Sequence, residues 1–83
     1  MNFEVIHVSR GDIRLKCGDK HVRVLGEALI ASASTEPSYI IYLDSLYNWE
    51  VPSDVALTET EKNDVVSTIR KHFQDCGSVV EFE

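Results

Sequence analysis

Few side chains in this 83-residue sequence are of a type and spacing that could do chemistry. His7, His21 and His72 form neither an HxH nor an HExxH arrangement. Cys17 and His21 are four residues apart, but they flank a turn, and no second pair exists to complete a tetrahedral metal site. Cys17 and Cys76 lack the CxxC spacing of a redox or zinc motif. Nucleophilic catalysis needs a thiol or hydroxyl beside a positioned base, and no such pairing is legible. Glu59 and Glu61 are close in sequence, yet helix capping accounts for them. Glu81 and Glu83 fall on the wet face of a terminal strand. The four glycines are scattered at turns rather than gathered into a phosphate-binding loop. These residues predict no catalytic site, no metal and no cofactor, and therefore a protein that is not an enzyme.

The remaining chemistry is recognition. "YIIYLDSLYNWEVP", Tyr39 to Pro52, holds all three tyrosines and the single tryptophan, with Asp44 and Glu50 among them and no Lys or Arg. It lies inside a longer interval, between Arg23 and Lys62, that contains Glu27, Glu36, Asp44, Glu50, Asp54, Glu59 and Glu61 and no basic residue. The net charge of −6 is thus concentrated in the middle of the chain. A region of one sign repels nucleic acid and anionic lipid and attracts basic protein surfaces. Tyrosine adds a large apolar body with a polar tip, the combination that interfaces favour. Glu27, Glu36, Asp44, Tyr47, Glu50 and Asp54 are the expected partner-binding residues. Trp49 is expected in the core. The plain alternative is an acidic face kept for solubility.

The elements that must position these residues follow from periodicity. "NFEVIHV" has apolar residues on both parities, which suits a strand partly covered on both sides. "DIRLKC" and "HVRVL" alternate cleanly around a turn at Gly18, with Arg14 and Arg23 sharing a solvent face. Gly26 marks a bulge or corner, "EALIASA" reads as a further strand, and "STEP" as a loop. "SYIIYLD" is the most apolar strand and the expected centre of the sheet. Tyr39, Ile41 and Leu43 would share one of its faces, Ile40 and Tyr42 the other. Asp44 can cap a short turn at "SLYN". Thr58 and Glu61 form a capping box for a helix whose stripe is Val65, Ile69, Phe73 and Cys76, stopped at Gly77. "SVVEFE" supplies a last strand. The expectation is an α+β domain of order βββββαβ. It is a mostly antiparallel five- to six-stranded sheet with one helix on one face, a single domain over 1–83.

Eighty-three residues is close to the lower limit for an independent core, so most apolar side chains are needed for packing. No apolar run is long enough to cross a bilayer, and the N-terminus reads as a strand rather than a signal peptide. A cytoplasmic protein with reduced cysteines is the expectation.

"GEALI" at Gly26–Ile30, "YIIYLDSLYNWEVP", "LTETEKNDVVSTI" and the final "VVEFE" together resemble immunity protein family 74 of bacterial polymorphic toxin systems. The resemblance runs over nearly the whole chain. Its most specific parts are Gly26–Glu27, the "IYLDS" strand end, the tryptophan–glutamate pair before Pro52, and the capped helix. It implies a small cytosolic protein that binds and neutralises a cognate toxin domain, similar in role to the immunity proteins of contact-dependent growth inhibition. No catalytic residues are implied. Charge points to a basic partner, a nuclease above all, with no nucleic acid or membrane as ligand. A monomer is expected, with a dimer as the alternative. The competing function is a non-catalytic adaptor or subunit domain that pairs through a strand edge.

Overall fold

The hairpin predicted around Gly18 forms the heart of the sheet. In a computed structural model that describes residues 2–30 and 37–83, β2 (Asp12–Cys17) and β3 (Lys20–Ala28) pair antiparallel with Cys17 opposite Lys20. Gly18 takes a φ of 61°, which a two-residue hairpin turn demands and glycine supplies without strain. Alternation then sends Ile13, Leu15, Val22 and Val24 to complete burial, and Arg14 and Arg23, directly opposite one another, to solvent.

β1 (Glu4–Val8) joins β2 antiparallel, with a register shift between Val5 and His7. This irregularity explains the mixed parity of the N-terminal segment: after the shift Val8 faces the same side as Val5. β4 (Tyr39–Ile41) pairs antiparallel with β3, and β5 (Val80–Phe82) pairs parallel with β4. The sheet order is β1-β2-β3-β4-β5, mostly antiparallel.

The fold is α+β as expected, with three local corrections. The centre of the sheet is β3, the longest strand, not the segment around Tyr39. β3 also runs unbroken through Gly26 to Ala28, so the first residues of "EALIASA" belong to it. The rest of that segment from 31, and most of "STEP", lie outside the described residues. Gly26 is the corner at which β3 changes partner: Leu25 is the last residue paired with β2, and Gly26 the first paired with β4. Finally, β4 ends at Ile41, and Leu43–Ser45 forms a single 3-10 turn. Tyr39 and Ile41 are buried as expected, but Leu43 has left the strand and is exposed. Asp44 lies inside this turn and does not cap it.

The helix α1 (Glu59–Asp75) begins with the predicted capping box. The Thr58 hydroxyl accepts from the Glu61 amide at 3.1 Å, and the Glu61 carboxylate accepts from the Thr58 amide at 2.9 Å. Its far end is a Schellman motif: the Ser78 amide reaches the Phe73 carbonyl (2.8 Å) and the Gly77 amide the Gln74 carbonyl (3.0 Å), with Gly77 at φ 72°. Val65, Ile69 and Phe73 are buried against the sheet, and Phe73 meets Tyr39 at 5.5 Å between ring centres. Cys76 departs from the expected stripe. It is the C-cap residue, its amide still donating to the His72 carbonyl (3.2 Å), and it is exposed. No helix among the described residues is long and apolar enough to cross a membrane.

Candidate functional site, a groove beside β3

The chain between the 3-10 turn and the helix builds a small ribbon. Asn48 bridges Ala56, the Trp49 amide donates to the Val55 carbonyl (2.8 Å), and the Leu57 amide donates to the Tyr47 carbonyl (2.9 Å). Pro52, preceded by a cis peptide, and Asp54, at φ 64°, turn the ribbon back. Aspartate is one of the few non-glycine residues that adopts this left-handed conformation readily. The ribbon is tied to the far end of β3 by the His21–Val51 bridge, and the 3-10 turn is tied to its middle by the Leu25 amide donating to Ser45 Oγ (3.0 Å). Between these two ties residues 46–49 form no main-chain hydrogen bond with β3. The resulting open groove, about 580 Å³, is lined by Arg23, Leu25, Asp44, Ser45, Tyr47, Asn48, Trp49, Glu50, Ser53 and Asp54.

Four of the expected partner-binding residues, Asp44, Tyr47, Glu50 and Asp54, therefore meet at one groove. Tyr47 is 60% exposed at its rim, while Trp49 is 3% exposed and stacked on Phe3, in the core as expected. Glu27 lies on the same face of β3 as Leu25, two residues beyond the lining. Its carboxylate accepts from the Tyr42 hydroxyl at 3.0 Å, and this bond raises the Tyr42 phenol above its ordinary value, keeping it protonated. Glu36 lies outside the described residues.

The acids are not equally available. Glu50 is held by Arg14 at 3.1 Å. Asp44 and Asp54 form no ion pair with any described residue. Sequence reasoning missed the groove's basic and apolar walls, Arg23 and Leu25. Alternation puts them on the outer face with Glu27, but only the crossing of residues 45–50 over the edge of β3 makes that face part of a site.

Arg23 is fixed from behind. Its Nε donates to Asp12 Oδ2 at 2.6 Å, and Asp12 also lies 3.6 Å from Arg14 Nε and accepts from the Ser9 hydroxyl. The Arg23 and Ser9 bonds together bring the Asp12 carboxyl down to about 2, against a burial effect of opposite sign. Asp12 thus separates two arginines that face each other across the ladder. A carboxyl whose folded value is depressed stabilises the fold above its unfolded value and loses that stabilisation as pH falls towards the folded one. The loss should run from about pH 4 to about pH 2 and amount to roughly 1 kcal/mol, after discounting for solvent screening at the half-exposed arginines. Urea midpoints taken across that window should separate Asp12→Asn, with a flatter profile, from the parent.

Among the described residues no three His, Cys, Asp or Glu side chains stand together as metal ligands. Carboxylates, one braced arginine and an exposed tyrosine thus share one groove on a small α+β domain. Residues 5–83 match the family described as immunity protein 74, and the chain belongs to that family. Membership makes it an immunity protein directed against a toxin, with a cognate toxin as partner. No curated protein and no solved structure matches it.

Proposed function

We propose that this protein neutralises its toxin by covering a basic surface of it with the groove and ribbon at residues 44–54, without catalysis of its own. A nuclease toxin fits best, because an enzyme that holds a phosphate backbone must offer cationic groups. The observation that carries this reading is that Asp44 and Asp54, with no ion-pair partner among the described residues, flank an exposed Tyr47 on one groove. Carboxylates so placed would take the positions of phosphates and accelerate encounter, while the aromatic rim would set the lifetime of the complex. The protein acts in the cytoplasm, as part of a polymorphic toxin system of the contact-dependent kind.

The test uses Asp44→Lys combined with Asp54→Asn. Asparagine at position 54 tolerates the positive φ, so the charge is removed without straining the ribbon. The association rate with the toxin domain should fall about tenfold or more at low salt, the salt dependence should flatten, and protection of toxin-expressing cells should weaken. An unchanged rate together with full protection would rule out the groove as the toxin-binding surface.

The strand-edge adaptor remains the second reading, since β1 and β5 are edge strands. β1 is interrupted by its register shift and β5 is three residues long, features that discourage pairing with another sheet. They support a monomer, which light scattering across concentration would test.

A further inference from the structure

The groove contains a gap in the hydrogen bonding of β3. In a two-residue hairpin the closing pair, here Cys17 and Lys20, is hydrogen-bonded, so His21, Arg23 and Leu25 point their main-chain groups away from β2. His21 uses its groups on the ribbon: its amide donates to the Val51 carbonyl (2.8 Å) and its carbonyl accepts from the Glu50 amide (2.9 Å). Leu25 uses its groups on the 3-10 turn, donating to Ser45 Oγ and accepting from the Tyr42 amide (3.0 Å). Arg23, midway between them, pairs its main-chain N–H and C=O on this side with no described residue. This is the stretch between the two ties, where the groove opens.

We propose that the groove takes an extended, basic peptide segment of the partner, paired through its backbone to Arg23. The proposal rests on the toxin-binding reading and specifies which element of the toxin enters. Any occupant tight enough to exclude water must satisfy the Arg23 amide and carbonyl, since a main-chain group buried without a partner loses its hydrogen bonds to water and gains none in return. A lone ammonium or guanidinium cannot satisfy both. One residue of an extended chain offers a carbonyl and an amide at the spacing of an antiparallel pair. Its neighbouring side chains then fall beside Asp44 and Asp54, where cations are favoured, and against Leu25 and Tyr47, where apolar stems pack.

The probe is a short end-capped peptide alternating valine and lysine, with two counterparts. In one counterpart glutamate replaces lysine, and in the other the backbone is N-methylated. Each is titrated into isotope-labelled full-length protein, and amide shifts and hydrogen exchange are read. The lysine peptide should shift the Arg23 amide and slow its exchange about tenfold. Asp44→Asn with Asp54→Asn should weaken binding about tenfold. The glutamate and N-methylated peptides should do neither. Binding of the N-methylated peptide as tightly as the parent would show that side chains alone fill the groove, and this would overturn the proposal. So would an unmoved Arg23 amide at millimolar lysine peptide. Cell protection by the charge variants tests the toxin-binding reading separately, so failure of the peptide leaves that reading standing or falling on its own result.

Discussion

Gly26→Ala is expected to cost the fold about 3 kcal/mol or more, close to the limit of what an 83-residue domain tolerates. A Cβ at this position would collide with the Ile40 carbonyl and would lie 2.5 Å from Tyr39 Cε1. The first obstacle is main chain, so no rotamer change relieves it. The second is a buried ring whose hydroxyl donates to the Ser9 carbonyl at 2.8 Å, so the ring cannot swing aside without giving up that bond. The clash falls where β3 exchanges β2 for β4. It therefore strains the antiparallel connection between the hairpin and the β4–β5 pair. A urea midpoint lowered by about 2 M is the expected reading, taking a slope of about 1.5 kcal/mol/M. Gly11→Ala is the control. Nothing lies within 4 Å of the place its added methyl would occupy, and its φ is not in the left-handed region, so stability should stay within about 0.5 kcal/mol of the parent. Equal midpoints for the two variants would mean that β3 does not change partners at Gly26.

That corner also shows where the sequence stops being readable. The hairpin turn, the capping box and the glycine stop of the helix are legible because each is decided by neighbours within a few residues: Gly18 for the turn, Thr58 and Glu61 for the cap, Gly77 for the stop. A corner at Gly26 is legible too, but not its cause, which is the close approach of a strand some fifteen residues later. Strand alternation places Tyr39 and Ile41 correctly and fails at Leu43, because the 3-10 turn begins at Leu43, ahead of the turn expected with Asp44 as its cap. The candidate site follows the same rule. Clustering acids and aromatics in sequence brings together Asp44, Tyr47, Glu50 and Asp54, which lie on the 3-10 turn and the ribbon that follows it. It does not find Arg23 or Leu25, nor that Arg14, thirty-six residues away, holds Glu50. Both depend on where the ribbon lies against β3, a tertiary contact made through main-chain bonds at His21 that leave no side-chain signature.

Tyr47 and Trp49, two residues apart, should separate binding from stability more sharply than any other pair in the chain. Both line the groove, at different depths. Trp49 is 3% exposed, stacks on Phe3 with ring centres 5.6 Å apart, and carries Lys20 Nζ at 5.3 Å from its own ring centre. Trp49→Ala opens a large void beneath the ribbon and should cost about 3–5 kcal/mol, enough to unfold a substantial fraction of a domain this small at 37 °C. Trp49→Phe keeps most of the ring and should recover much of the loss. Tyr47 is 60% exposed, and its main-chain tie to the ribbon, the carbonyl that accepts from Leu57, survives truncation. Tyr47→Ala should therefore leave stability within about 0.5 kcal/mol. If the ring is a rim anchor that becomes buried in the complex, its loss should weaken toxin affinity by about 2 kcal/mol, roughly thirtyfold, mostly through faster dissociation. Chemical denaturation and surface-based kinetics on the same two variants measure the split. A Tyr47→Ala protein that folds normally and holds its toxin as long as the parent would move the binding surface away from this groove, whatever the charge variants do. The rim ring is the most exposed of the large apolar groups lining the groove, and a long-lived complex would have to bury it.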